Sequence, residues 1–239
     1  MNVSDIREQF AAKYLNKEFI KDKTGATTVE LIGQSFEADE NTIFGEVNEN
    51  YVKREIEWYV SQSLNVNDIP GETPKIWKQV ADPDGFINSN YGWCVFHKNN
   101  YEQYENCLKE LLKNKDSRRA VMIYTRPSMW LDYNKNGMSD FCCTENVQYF
   151  IRNEELISTP RLRSNDAIFG YKNDFAWQIY ILNNLYDKLS LNYTLKSKKI
   201  IWNSGSLHIY SSHYYLIEHY IKTGETHITK EKYKELYGV

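Results

Sequence analysis

The chain has 239 residues, enough for one large domain or two small ones around a well-buried core. With 41% hydrophobic and 15% aromatic residues it is a globular protein and not a disordered one, and a formal net charge of −3 lacks the basic surplus of a nucleic-acid binder. No apolar run approaches the roughly 18 residues that span a membrane, and the N-terminal stretch lacks the apolar core of a signal peptide.

Taken in chain order, Val3, Ile6, Phe10 and Tyr14 recur at helical spacing. The turn-like "DKTG" (22–25) precedes a β-rich stretch at 26–38. Residues 48–63 read as a helix containing Glu55, and "NVNDIPGETPK" (65–75) as a turn-rich loop centred on Pro-Gly. A helix is expected at 99–114 and a strand at 120–125. "NVQYFIRNEELISTPRL" (146–162) predicts two strands around a polar turn at Asn153–Glu155. A helix over 174–190, a strand over 199–210 and a last helix from about Ser211 to Lys222 complete the pattern. Irregular alternation without repeats predicts a single α+β domain over 1–239.

Four cysteines (Cys94, Cys107, Cys142, Cys143) show no paired metal spacing. Reduced thiols in a cytoplasmic compartment, and no metal, are expected. "DSRRAV" (116–121) sets Arg118 and Arg119 at the mouth of a strand, where alternation turns one of two neighbours inward. Arg163–Ser164 is a second polar pair, and together these suggest a clamp for an anionic small molecule. "FCCTENVQ" (141–148) puts a cysteine just before a strand; such a cysteine is either an inert buried thiol or, beside a cation, a nucleophile. In "RSNDAIFGYKNDF" (163–175), Gly170 reads as a backbone pivot, and Asn173 or Asp174 as the cap of the helix that follows. His208 and His213 are five apart, a spacing that does not place two ligands on one helical face. The residues alone point to an anion-binding α+β protein with a candidate cysteine nucleophile.

Four motifs in order, "DSRR", a cysteine with a glutamine five residues on (Cys143 to Gln148), "RSNDAIFGYKND" and "LHIYSSH", resemble the thymidylate synthase family. The resemblance runs from residue 22 to about residue 220. "GETPKIW", "NSNYGW", "YTRPSM" and "DYNKNGMSDF" are similar to its phage-type branch, which hydroxymethylates deoxycytidylate (dCMP). The resemblance implies a large twisted mixed β-sheet flanked by helices, with the sheet packing at a homodimer interface. It implies dCMP as substrate and 5,10-methylenetetrahydrofolate as co-substrate, acting in the cytoplasm (the host's, for a viral chain).

Carried over by position, Cys143 is the nucleophile, selected over Cys142 by the glutamine spacing. Arg163 and Ser164 match phosphate ligands, and Arg118 and Arg119 match arginines that reach the partner subunit's phosphate site. Lys23 stands where synthases carry a further phosphate-binding arginine. His208 and Tyr210 match groups that bind the sugar hydroxyl. Glu55 matches the proton-moving glutamate and Tyr91 a tyrosine near the base, while Trp77 and Asp166 match folate contacts.

The departures are informative. Thr144 follows the nucleophile where synthases have histidine, and Ser206 stands where the sugar motif has an acid. Asp174 replaces the asparagine that reads uracil. Cytosine reverses uracil's pattern, with an acceptor at ring nitrogen 3 and a donor amine at position 4. A carboxyl sharing a proton with nitrogen 3 fits cytosine, whereas ionised Asp174 against uracil's carbonyl opposes two acceptors. Such an unmade buried hydrogen bond costs about 1–3 kcal/mol. The C-terminal "KEKYKELYGV" (230–239) differs from the short apolar tail that closes synthase sites, which favours hydration of the methylene over its reduction. The sugar's 2′ position has no identified reader, so ribo-CMP, like synthase-type methylation, stays open as an alternative.

Overall fold

A computed structural model describes residues 1–22 and 24–238. In chain order the elements are α1 (Val3–Leu15), β1 (Phe19–Lys21), β2 (Thr27–Glu37), α2 (Glu49–Ser61), α3 (Lys75–Val80), α4 (Tyr91–Phe96), α5 (Gln103–Lys113) and β3 (Val121–Ile123). They continue with α6 (Met129–Asp132), β4 (Thr144–Arg152), β5 (Glu155–Asp166), α7 (Gly170–Ser190), β6 (Ser197–Tyr210), α8 (Tyr214–Thr223) and α9 (Lys230–Tyr237). The strands form a mixed six-stranded sheet, flanked by helices, in the order β1-β2-β6-β5-β4-β3. The fold class is therefore α+β. Among the described residues no helix is long and apolar enough to cross a membrane.

Local chemistry explains most boundaries. Asn2 and Asp5 close a reciprocal capping box at the start of α1, and Val3, Ile6 and Phe10 form its buried stripe. Asn48 caps α2 by accepting from Tyr51 N at 3.0 Å. The β4–β5 turn has Asn153 and Glu154 at φ 50° and 61°, the paired left-handed conformation that matches the twist of a tight hairpin. α7 begins at Gly170, four residues earlier than the pattern predicts. α9 lies beyond the last predicted helix. Its polar sequence carries little periodicity, but Tyr233 donates to Glu218, and Tyr237 lies under the Lys222 ammonium at 3.7 Å.

The chain groups into two compact units. The first comprises Met1–Val47, Leu162–Gln178 and Lys199–Val239; the second comprises Asn48–Arg161 and Ile179–Lys198. The first has a core of Phe36, Tyr171, Trp177 and Trp202, with Tyr171 edge-on to Trp202 at 5.0 Å. The second is built around Trp58, Val95, Leu111, Met122 and Tyr149.

One feature of the first unit governs where side chains point. In β6, Ile200, Trp202 and Ser204 are buried, and then the pattern shifts by one, so that Leu207 and Ile209 are buried. In β5 the buried set changes from Leu156, Ser158 and Leu162 to Asn165. In β2 it changes from Phe36 to Leu31 and Val29. Alternation in a strand has period two, so each shift marks an irregularity that turns the following residues over. Gly33 accommodates it in β2 with φ +67°, and Gly205 in β6 by close approach, since a Cβ there would lie 2.8 Å from Arg163 O. Ser204 Oγ donates to Ser206 O at 2.9 Å across the irregularity. Gly205→Ala is therefore expected to destabilise the protein by about 1–3 kcal/mol in urea unfolding. An unchanged midpoint would contradict the close approach.

Candidate active site

In the second unit, Glu55 is 5% exposed on the inward face of α2. Its Oε1 accepts from the Tyr51 hydroxyl one turn earlier and from the Trp77 indole N–H at 3.1 Å. Burial pushes the carboxyl up to about 6, against the lowering effect of those two donors. Burial and the neighbouring carboxylate push the Tyr51 phenol well above its ordinary range. A carboxyl poised near neutrality, linked to a phenol, is suited to taking and returning a proton. Tyr51 is the member that the sequence analysis missed, although its i, i+4 spacing from Glu55 was a usable signal. Trp77 is half-buried on α3 and edge-on to Trp58 at 5.1 Å. Its anchored N–H leaves a partly exposed ring of the kind a stacking role needs.

Tyr91 opens α4 and is 5% exposed, stacked on Tyr59 at 5.1 Å and edge-on to Tyr124 at 5.3 Å. The preceding loop is pinned by buried Asp140, which accepts from the backbone of Asn88 at 2.6 Å and of Ser89 at 2.8 Å. Cys142 is fully buried and its thiol faces Thr144 O at 3.2 Å, whereas Cys143 is only half-buried at the head of β4. Burial pushes the thiols of Cys94 and Cys107 up to about 12, which makes them poor nucleophiles. Of the four cysteines, Cys143 is thus the accessible one.

Arg118 and Arg119 correct the expectation that one of them turns inward. Both are exposed and precede β3, so strand alternation does not apply to them. Ser117 Oγ accepts from Arg119 N at 3.0 Å and donates to Glu110 at 2.6 Å, shaping a turn that leaves both side chains at the surface. Arg119 pairs with Glu110 at 3.0 Å.

In the first unit, the shift in β5 lets two consecutive residues, Arg163 and Ser164, both avoid the core, while Asn165 turns into it. Asn165 Nδ2 donates to Asp174 Oδ2 at 2.8 Å, and among the described residues its Oδ1 is buried without a partner. Asp174 is the fifth residue of α7, so the capping role expected for Asn173 or Asp174 is corrected. Gly170 is corrected as well. It starts the helix without a left-handed φ, and a Cβ there would lie 3.1 Å from Asn165 Nδ2, so it leaves room for the amide that holds Asp174. Asp166 accepts from the backbone of Ile168 at 2.9 Å and of Phe169 at 3.4 Å, closing the turn into α7. His208 and Tyr210 share one face of β6, with ring centroids 5.1 Å apart. Lys23 lies outside the described residues. Among the described residues no group of three or more His, Cys, Asp or Glu side chains is placed to hold a metal ion.

The six-stranded α+β fold thus carries a buried glutamate, Glu55, and an accessible cysteine, Cys143, just ahead of a strand. The thymidylate synthase profile matches residues 13–235, and the chain belongs to the thymidylate synthase family. It is 55% identical to deoxycytidylate 5-hydroxymethyltransferase of Enterobacteria phage T4 over 241 residues, covering 100% of this chain and 98% of that one. Its identity to the phage T6 protein of the same name is also 55%, over 237 residues, covering 98% and 96%. The solved thermostable thymidylate synthase A from Bacillus subtilis shares the fold with a TM-score of 0.68 at 21% identity, covering 93% of this chain and 84% of that one.

Glu55 yields a test of the buried network. Its pKa is raised from 4.5 to about 6, so the stability it contributes is fully present below about pH 4.5 and is lost as pH rises through about 6. Glu55→Gln is uncharged throughout. Relative to that variant, the wild type is expected to lose about 2 kcal/mol of unfolding free energy between roughly pH 4.5 and 7.5. Parallel pH–stability curves would contradict the raised value.

Proposed function

We propose that the protein transfers a one-carbon unit from 5,10-methylenetetrahydrofolate to carbon 5 of dCMP and adds water, giving 5-hydroxymethyl-dCMP and tetrahydrofolate. The observation that carries this reading is the 55% identity, over essentially its whole length, to a protein named for that reaction. Asp174 supports it independently, being a carboxyl where uracil recognition calls for an amide.

The Cys143 thiolate adds to ring carbon 6, which makes carbon 5 an enamine-like nucleophile. Carbon 5 takes the methylene group that the folate supplies, loses its proton, and tetrahydrofolate departs. Water then adds to the exocyclic methylene, and Cys143 leaves carbon 6 as the ring recovers its aromaticity. No oxidant or reductant is consumed. Glu55, relayed by Tyr51, handles protons at the base, and Tyr91 lies beside it. Trp77 stacks on the folate, and Asp166 supplies its polar contact through lone pairs that the turn amides leave open.

Arg163, Ser164 and Lys23 bind the phosphate, and His208 and Tyr210 the sugar hydroxyl. Exposed Arg118 and Arg119 reach the phosphate site of a partner subunit in a homodimer. Asp174 reads cytosine. Asn165 donates to Asp174 Oδ2, which helps to hold the carboxyl in place, and a carboxyl that shares a proton with nitrogen 3 can also accept from the 4-amine.

The decisive measurement is tritium release from 5-tritiated dCMP, dUMP and CMP in the presence of methylenetetrahydrofolate. Wild type is expected to favour dCMP without a rise in absorbance near 340 nm, because no dihydrofolate forms. Dihydrofolate formation would contradict the hydration step, and equal turnover of CMP the deoxynucleotide assignment. Cys143→Ser is expected to lose at least about a thousandfold in rate. Asp174→Asn is expected to move the dCMP/dUMP ratio toward dUMP by at least about tenfold, and an unmoved ratio would remove the base-reading role.

A further inference from the structure

We infer that Glu30 and Ser206 are positioning residues that hold His208 in its Nδ1–H tautomer, so that Nε2 presents a lone pair to a nucleotide's sugar hydroxyl. Glu30 on β2 is the cross-strand partner of His208 on β6. Ser206 Oγ donates to Glu30 Oε1 and lies 3.2 Å from His208 Nδ1. A carboxylate only accepts, and a serine hydroxyl carries one proton. With that proton committed to Glu30, Ser206 Oγ can only accept from the imidazole, which places a proton on Nδ1. In neutral His208 the remaining nitrogen, Nε2, is then an acceptor, with its tautomer set by the bond the other nitrogen makes.

The arrangement also accounts for Ser206 at the position where the sugar motif has an acid. The carboxylate is supplied from the adjacent strand and relayed by one hydroxyl. The half-buried Glu30 and Ser206 and the half-buried His208 lie on the same outward-facing side, beyond the shift at Gly205. An accepting Nε2 selects a ligand hydroxyl that donates, and Tyr210 can donate to that hydroxyl's oxygen in return. A nucleotide whose 3′ oxygen is alkylated, phosphorylated or missing cannot complete the pair. The preference is thus for a free mononucleotide over one linked through its 3′ oxygen.

The tautomer assignment stands on these contacts alone, while its consequence for ligand choice rests on the proposed sugar-binding role of His208. Nitrogen-15 histidine NMR at about pH 8.5, above the ordinary imidazole range, separates the two, with the His208 signals assigned by loss in His208→Gln. Wild type is expected to show a protonated Nδ1 and a bare Nε2. Ser206→Ala and Glu30→Ala are expected to shift the ring toward Nε2–H, and Ser206→Thr, which keeps the hydroxyl, to retain Nδ1–H. In turnover, wild type is expected to prefer dCMP over 2′,3′-dideoxy-CMP by at least about tenfold in kcat/KM, with the preference shrinking in Ser206→Ala chiefly through KM. An Nε2–H signal in wild type, or an unmoved tautomer in both alanine variants, overturns the inference whatever the substrate is. A wild-type Nδ1–H signal with no penalty for the missing hydroxyl overturns the sugar-binding role of His208 and leaves the tautomer standing.

Discussion

The shift in strand alternation near Gly33, Arg163–Ser164 and Gly205 is the constraint on which the polar side of the first unit depends. A regular β6 would keep its even-numbered residues buried and bury Ser206, His208 and Tyr210 along with Trp202 and Ser204. The observed strand turns them outward after Gly205. A regular β5 would place Arg163 and Ser164 on opposite faces. Two glycines make the shift sterically feasible for different reasons, a left-handed backbone at Gly33 and a carbonyl within contact distance at Gly205. The consequence extends to Asn165, which faces inward and meets Asp174.

Two carboxyl groups, Glu55 and Asp174, sit in different surroundings. Glu55 is almost fully removed from water, and two donors do not cancel the cost of holding charge there, so it sits near neutrality. Asp174 is only half-buried and accepts from the Asn165 amide on Oδ2. The contrast matches the tasks proposed for them, proton transfer at Glu55 and base recognition at Asp174. It follows from the neighbours of each carboxyl, since the two side chains differ by a single methylene.

The long elements were legible in the sequence because their burial is periodic. α1, α2 and α5, the β4–β5 hairpin and β6 all fall where apolar spacing or turn residues place them. The short helices α3, α4 and α6 were not, since four to six residues carry too little periodicity to register. α9 was missed because its stability comes from tyrosines docked on Glu218 and His219 rather than from an apolar stripe. The start of α7 was misplaced because "GYKN" carries no cap-like signal at its true beginning. That error produced the capping reading of Asp174, which placement in the second turn removes.

By itself the sequence determined the membership of the thymidylate synthase family and which residue types stand at its motif positions, because side-chain identity survives any uncertainty about geometry. It also marked two departures from the family's motifs, Asp174 and Ser206. Only the tertiary structure decided which partners those residues have. Asn165 reaches Asp174, Tyr51 and Trp77 converge on Glu55, and Glu30 reaches His208 through Ser206. The last contact joins residues more than 170 positions apart in the chain, and strand pairing brings them together. Spacing along a chain fixes neighbours within one element, whereas protonation states and free lone pairs depend on contacts that form only once the strands are in register.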